Sequence, residues 1–428
     1  MTDIPHRFPA TLLDCFTDFL SPLLNEMIQL EMEFAGGLDA GRLAKAVDLT
    51  MDAEPILGCR FVDGCRRPYF ERLDRDEQFA FLLAGQESEY ETFKSGSIDH
   101  RSGPQIRVCL WSSPGGDHLL IKVAHQVADA GGTKDITAVL SDIYGRLSND
   151  PAYRPSPNIK GSRSSRQLLR HVPWHAYPRI YLNGVQELMR LSRVRDVQAL
   201  CVLEGPMEPL VYISRLIPSV RVTSLAEYGR SHNATLNDIF TAASLRALVT
   251  LGNWQGRSHV SIQTTLDMRR YIPSGRAEAV ANLSAGLYRW PDLGTEPGRD
   301  FEATLDKVAR ITRYGKTHWI GFEIPLAPFA PLVKIMPHAW AAKRLEQAAG
   351  ATGGHGFTNT GPIDPGSVTF GMRPSMAHIL PPQVYPPTSF IYSLSGYNGT
   401  LTLLAGAYPT QKETIERFFD AVLKELPA

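Results

Sequence analysis

The chain has 428 residues, 43% of them hydrophobic and 21% charged, enough to bury large cores and to form more than one domain. Lys and Arg total 44, as do Asp and Glu, so the formal net charge is zero and nothing in it points to nucleic acid or another polyanionic partner. No apolar run reaches the roughly 18 residues of a membrane span. Asp14 and Asp18 break the early apolar positions that a signal peptide would keep whole, so the cytoplasm is the expected compartment.

In chain order, Asp39 is a fitting N-cap, and Leu43, Ala46, Val47 and Met51 follow at helical spacing as far as Pro55. Segments 57–63 and 68–73 read as a strand pair around Gly64. Residues 105–111 alternate polar and apolar as a half-buried strand does, and 117–124 returns beside it through the Pro114-Gly115-Gly116 turn.

That second strand runs into His125-Gln-Val-Ala-Asp129-Ala-Gly131-Gly132, after which Ile136, Val139, Leu140, Ile143 and Tyr144 recur at helical spacing. Of the twelve histidines, His125 alone has an Asp four positions later. The spacing by itself is weak, arising by chance in roughly every second chain of this size. It fits a general base in a glycine-relaxed turn, a core or turn histidine beside a capping Asp, or half of a metal site on one helix face. The apolar run to Ala124 argues for strand, not helix, at the histidine, and no His-Glu-x-x-His or Cys-x-x-Cys supplies further ligands. No metal is expected. The five cysteines, at 15, 59, 65, 109 and 201, have neither a disulfide framework nor zinc spacing and read as reduced packing residues.

Residues 148–166 are rich in Ser, Pro, Asn and Arg and read as a linker, followed by a helical segment over 180–203. A second α/β unit starts near Pro209. It holds a helix from Thr235 (with Thr235 or Asn233 as cap), a strand over 259–266, a strand over 400–407 after the Asn398-Gly399 turn, and a closing helix over 413–426. The expected division is 1–155, a linker and bridging helix over 156–208, and 209–428, with a pocket where the two halves meet. Between Trp319 and Trp340, four prolines interrupt an apolar stretch that reads as a kinked buried helix or the lining of a lipophilic pocket. His318, His338, His355 and His378 lack a partner pattern and read as structural or exposed.

With these elements in place, the chain resembles the CoA-dependent acyltransferase superfamily. That group includes chloramphenicol acetyltransferase, plant BAHD acyltransferases, alcohol acetyltransferases and non-ribosomal peptide condensation domains. Four segments carry the likeness in order: His125-x-x-x-Asp129; Asn237-Asp238-Ile-Phe-Thr-Ala-Ala; Leu266-Asp267-Met268-Arg269-Arg270 with Val280-Ala281-Asn282; and Phe357-Thr358-Asn359-Thr-Gly361-Pro-Ile with Tyr397-Asn-Gly-Thr-Leu. Three features depart from it. Ala124 stands where condensation domains carry a first histidine, Ala130 stands where a glycine follows the Asp, and an Asp-Phe-Gly-Trp-Gly segment is missing.

The resemblance implies an α/β (α+β) fold of two chloramphenicol-acetyltransferase-like halves, mostly antiparallel sheets flanked by helices, with a tunnel between them. It implies His125 as general base, and Asp129 paired with Arg269 to hold the loop, with Gly131 giving that loop its freedom. Asn282, Thr358 and Asn359 are the candidates to bind substrate near the reacting carbonyl, where a side-chain donor would stabilise an oxyanion. The expected activity is transfer of an acyl group from acyl-CoA, used as co-substrate with no permanently bound cofactor, to a hydroxyl or, second, an amine of a small or lipophilic acceptor. A condensation-type enzyme taking its thioester from an acyl-carrier protein is the alternative, and a non-catalytic binding module with the same fold is a third reading. A monomer is expected, since one chain supplies both halves.

Overall fold

The structure, a computed structural model, describes residues 4–21, 24–25, 27–63, 67–191, 199–201, 208–252, 260, 262–287, 300–322, 355–384 and 389–428. The first half supplies β1 (Arg7–Pro9), α1 (Leu12–Phe19), β2 (Leu24–Asn25), β3 (Met27–Phe34), α2 (Ala40–Ala53), β4 (Cys59–Val62), β5 (Tyr69–Arg72), β6 (Phe81–Ala84), α3 (Glu87–Ser95), β7 (Ile106–Ser113), β8 (Gly116–Ala124) and α4 (Ala130–Asn149). After α5 (Arg166–Leu169) and α6 (Tyr177–Leu191) come β9 (Val211–Ile217), α7 (Ser219–Ser231), α8 (Leu236–Leu251), β10 (Ile262–Asp267), β11 (Ser284–Leu287) and α9 (Phe301–Thr317). The chain closes with β12 (His355–Ile363), β13 (Met376–Leu380), β14 (Gln383–Val384), β15 (Ile391–Tyr397), β16 (Thr400–Ala407) and α10 (Lys412–Glu425).

These elements form two sheet-containing halves of mixed α/β character. Among the described residues, the first has a five-stranded sheet in the order β13-β3-β8-β7-β6, and the second a six-stranded sheet in the order β11-β10-β12-β15-β16-β9. Most neighbours are antiparallel; β6–β7, β10–β12 and β12–β15 are parallel. In the first half, the apolar faces of β3, β7 and β8 meet α2 and α4 through Leu30, Met32, Val47, Val108, Ile121, Ile136 and Leu140. Leu245, Leu248, Tyr392, Leu403, Phe418 and Val422 make the core of the second.

Several segments settle differently from the sequence reading. Residues 199–201 lie outside any helix, so the helical segment expected over 180–203 is described as α6 only to Leu191, and 192–198 and 202–207 lie outside the described residues. Gly64, Cys65, most of the proline-interrupted stretch and His338 also fall outside them. Among the described residues, Cys15, Cys59, Cys109 and Cys201 form no disulfide. Among the described residues, no helix is long and apolar enough to cross a membrane.

Strand β13 belongs in sequence to the second half yet pairs antiparallel with β3 of the first, setting His378 opposite Glu31. At that register His378 Nε2 lies 3.0 Å from Glu31 Oε2, Lys94 Nζ donates to both carboxylate oxygens at 2.7 and 2.9 Å, and the Tyr90 hydroxyl donates at 2.8 Å. Burial works against a charged carboxylate here. The His378 hydrogen bond and the Lys94 ammonium outweigh it and bring Glu31 down to about 2.

Glu31 therefore adds stability above its ordinary value of 4.5, and that stability fades as pH falls from 4.5 toward about 2. Glu31→Gln leaves the Lys94 ammonium without its carboxylate and is expected to cost about 3–5 kcal/mol. Urea unfolding at pH 7 measures the loss. At pH 3 the gap between variant and wild type should narrow; a pH-independent gap would exclude the carboxylate charge as its origin.

Candidate functional site

The apolar run of β8 ends at Ala124, whose carbonyl accepts from the amides of Val127 (3.0 Å) and Ala128 (3.3 Å). This tight turn sets half-buried His125 at the end of the strand, before α4 begins at Ala130. His125 Nδ1 lies 3.0 Å from the Ala128 carbonyl oxygen. A carbonyl only accepts, so Nδ1 carries the proton and the lone pair sits on Nε2. No described residue is hydrogen-bonded to Nε2. Burial lowers the imidazole pKa from 6.5, against the pull of the Asp129 charge and the Ala128 carbonyl, so the ring is neutral at pH 7.

Asp129 does not hydrogen-bond the imidazole. Its Oδ1 caps α4 by accepting from the Gly132 amide at 2.8 Å. Oδ2 accepts from Arg269 Nη1 at 2.8 Å and from the Leu283 amide at 2.9 Å. Burial alone would raise this carboxyl; the Arg269 charge, its hydrogen bond and the two amides hold it below the usual range. Arg269 follows β10 and is itself buried. It also donates from Nη2 to the Ala281 carbonyl (2.9 Å) and from Nη1 to Asp267 (3.2 Å). Capping and ion pairing, alternatives in the sequence, are performed by one carboxylate.

The glycines do not relax a turn. Ala130, Gly131 and Gly132 form the first turn of α4, and none has a positive φ. Gly131 makes room: a Cβ there would lie 2.6 Å from Arg269 Nη1 and 2.9 Å from Cζ. At Gly132 it would lie 3.0 Å from the Ala281 carbonyl oxygen. Ala130 therefore carries no conformational penalty, since α-helical dihedrals suit it.

Asn282 is buried, and its amide is committed. Nδ2 donates to the Thr17 hydroxyl (3.0 Å) and to the His125 carbonyl (3.0 Å), while Oδ1 accepts from the Ser284 amide (3.2 Å) and hydroxyl (3.0 Å). With both amide hydrogens used, Asn282 has none left to donate to a reacting carbonyl; it holds the histidine's backbone instead.

On β12 the Thr358 hydroxyl pairs with that of Thr265 at 2.9 Å. Asn359 Oδ1 accepts from the Gly361 amide at 3.0 Å, at a bulge against β15, and its Nδ2 has no hydrogen-bond partner among the described residues. No hydrogen bond joins either residue to His125. The link runs through Lys134 on α4, whose ammonium donates to the carbonyls of Thr360 (2.8 Å) and Pro362 (3.2 Å).

Arg163 went unrecognised in a segment read as linker. Its guanidinium grips Asp14 at 3.0 and 3.2 Å and donates to the carbonyls of Val280 (2.9 Å) and Val127 (3.4 Å), the latter inside the histidine loop. An arginine in a Ser/Pro-rich stretch gives no local signal of such a role, because its partners lie in other segments.

Among the described residues, no group of three or more His, Cys, Asp or Glu side chains is gathered as a metal site. Arg269→Met strands a buried carboxylate and is expected to cost about 3–5 kcal/mol. Gly131→Ala, by pushing the guanidinium off Asp129, should lose part of the same amount. Urea unfolding of both variants checks this; an Arg269→Met protein as stable as wild type would show that the Gly132 and Leu283 amides suffice for Asp129.

No protein-family model matches the sequence, and no curated protein matches it. Solved structures do. The epimerization domain from the third module of tyrocidine synthetase B superposes with a TM-score of 0.68 at 16% identity, over 99% of this chain and 96% of that one. The first condensation domain of the calcium-dependent antibiotic synthetase, in complex with a substrate analogue, gives 0.69 at 19% identity, over 98% and 97%. Polyketide synthase associated protein 5 from Mycobacterium tuberculosis gives 0.65 at 14% identity, over 97% and 96%. The chain therefore has the condensation-domain-like fold.

Proposed function

We propose that the chain transfers an acyl group from a thioester to a hydroxyl or amine nucleophile, with His125 as general base and a carrier-protein-bound thioester as donor. The carrying observation is the His125 imidazole: its Nδ1 is tied to the Ala128 carbonyl and its Nε2 lone pair is free of described hydrogen bonds. Similarity of fold to synthetase condensation domains supports a donor presented by a carrier protein.

A thioester carbonyl is already activated, so the protein must align two substrates and move one proton. Nε2 takes the proton from the nucleophile as its oxygen or nitrogen bonds to the carbonyl carbon, and the carbonyl oxygen becomes an oxyanion. Collapse breaks the C–S bond, and the imidazolium returns the proton to the leaving sulfur, so protons and charge balance. A positioned histidine is worth about 10²–10⁴-fold, and alignment of the two substrates about 7–11 kcal/mol. Asn359 is the donor we assign to the oxyanion, and Thr358 to the acyl group beside it. Asp129, Arg269 and Gly131 hold the loop and take no part in proton transfer.

Acyl-CoA as donor to an alcohol is the second reading. It is favoured by Ala124, a strand residue 1% exposed, where the resemblance to condensation domains leads one to expect a further histidine.

Acyl-carrier protein and acyl-CoA offered side by side, with acceptor-dependent thiol release as readout, separate the two donors. His125→Ala is expected to reduce release by about 10²–10⁴-fold in either case; undiminished turnover would rule out the base. Acyl-group binding without release of thiol from either donor would make the protein a binding module. Since burial lowers the imidazole pKa, kcat/KM should be level at pH 7 and fall only below the ordinary imidazole value of 6.5.

A further inference from the structure

Helix α1 carries a buried polar stripe, of which Asp14 also closes the capping box with Thr11 at the start of the helix. Asp14, Thr17 and Asp18 stand at i, i+3 and i+4, share one face, and are 1%, 5% and 2% exposed. Asp14 and Thr17 each reach a different residue of the histidine loop through an intermediary from another part of the chain. Thr17 accepts from Asn282, which donates to the His125 carbonyl. Asp14 holds Arg163 by two hydrogen bonds, and Arg163 donates to the Val127 carbonyl. Asp18, on the same face, is paired outside the loop, by His100 Nε2 at 2.8 Å and by Arg101 Nη2 at 2.8 Å to each of its oxygens.

We infer that Asp14 and Thr17 are positioning residues for His125, fixing the carbonyls of loop residues 127 and 125 through Arg163 and Asn282. The inference rests on the proposed role of His125 as base and extends the machinery around it to helix α1. Two buried carboxylates are costly unless fully paired, and apolar residues would stabilise the same helix at least as well. What apolar residues cannot do is hold two loop carbonyls, those of His125 and Val127, at fixed hydrogen-bond distances. Thr17 is the most direct case, because one amide, that of Asn282, spans the 3.0 Å to its hydroxyl and the 3.0 Å to the His125 carbonyl.

The test uses the full chain with Thr17→Val, which keeps shape and removes the hydroxyl acceptor; Thr17→Ser, which restores it; and Asp14→Asn, which weakens the grip on Arg163. Thr17→Val should lower kcat by about 10–100-fold, the range for a small misplacement of a catalytic group, with KM within about twofold of wild type. Thr17→Ser should recover most of the loss, and Asp14→Asn should show the same kcat-against-KM split. In parallel, ¹⁵N spectra of the substrate-free protein should show a single Nδ1–H tautomer for His125 in wild type and a mixture in Thr17→Val. Wild-type kcat and an unchanged His125 spectrum in folded Thr17→Val would overturn the inference. So would failure of both Thr17→Val and Asp14→Asn to fold, which would assign the stripe to stability alone. If wild type releases no thiol but Thr17→Val still perturbs the His125 spectrum, the proposed reaction fails while the positioning role is upheld.

Discussion

The buried ion pair between Asp129 and Arg269 is the constraint on which the arrangement of the candidate site depends. A carboxylate 3% exposed must be paired, and its partner lies 140 residues away, in the other half of the sequence. The histidine loop therefore acquires its geometry only when the two halves meet. The glycines at 131 and 132 follow from the same requirement, because the guanidinium lies against the first turn of α4 where a side chain would otherwise sit. Lys134, one turn further along that helix, ties it to the bulge of β12 and so adds a second cationic link between the halves.

Within that frame His125 is given one protonation state. The Ala128 carbonyl fixes the tautomer, burial lowers the tendency to protonate, and Asp129 spends its oxygens on Gly132, Leu283 and Arg269 instead of the ring. An imidazole paired directly with that carboxylate would be a stronger base but would be held protonated to higher pH. Under the proposed function the arrangement suits a reaction whose electrophile is already activated, where the base needs to be neutral and accessible more than strongly basic.

Much of both halves was legible where the signals are local. Strands β7 and β8, helix α2 with its Asp39 cap, helix α8 with its Thr235 cap and the Asn398-Gly399 turn were all readable from period and punctuation. Strand β3 was not: Met, Gln, Leu and Glu are helix formers by intrinsic preference, and only pairing with β8 and β13 makes Met27–Phe34 extended. Strand β13 is five residues among prolines, and its partner is more than three hundred residues away. Of the site, the His125 turn and the Asp129–Arg269 pairing were visible through ordered motifs. Arg163 and the α1 stripe were not, because a charge in a polar segment or at the start of a chain reads as solvated until its partner is known.

The buried carboxylates that bear on this architecture share a property that hydrophobic packing lacks. Asp129 meets Arg269 across 140 residues, Asp14 meets Arg163 across 149, and Glu31 meets His378 across 347. Apolar side chains accept many neighbours of similar volume at small cost, so a core alone leaves strand register and loop position loosely specified. A buried carboxylate is satisfied only where its donors converge, and a one-residue slip of β13 would carry His378 off Glu31 to the opposite face of its sheet. Such groups add less stability than apolar replacements would, but they make one long-range arrangement far cheaper than its competitors. In this chain Asp129 and Asp14 converge on the loop that presents His125, while Glu31 fixes the strand exchanged between the halves. If His125 is the base, as proposed, holding that one imidazole steady gains more from such selectivity than from a tighter core.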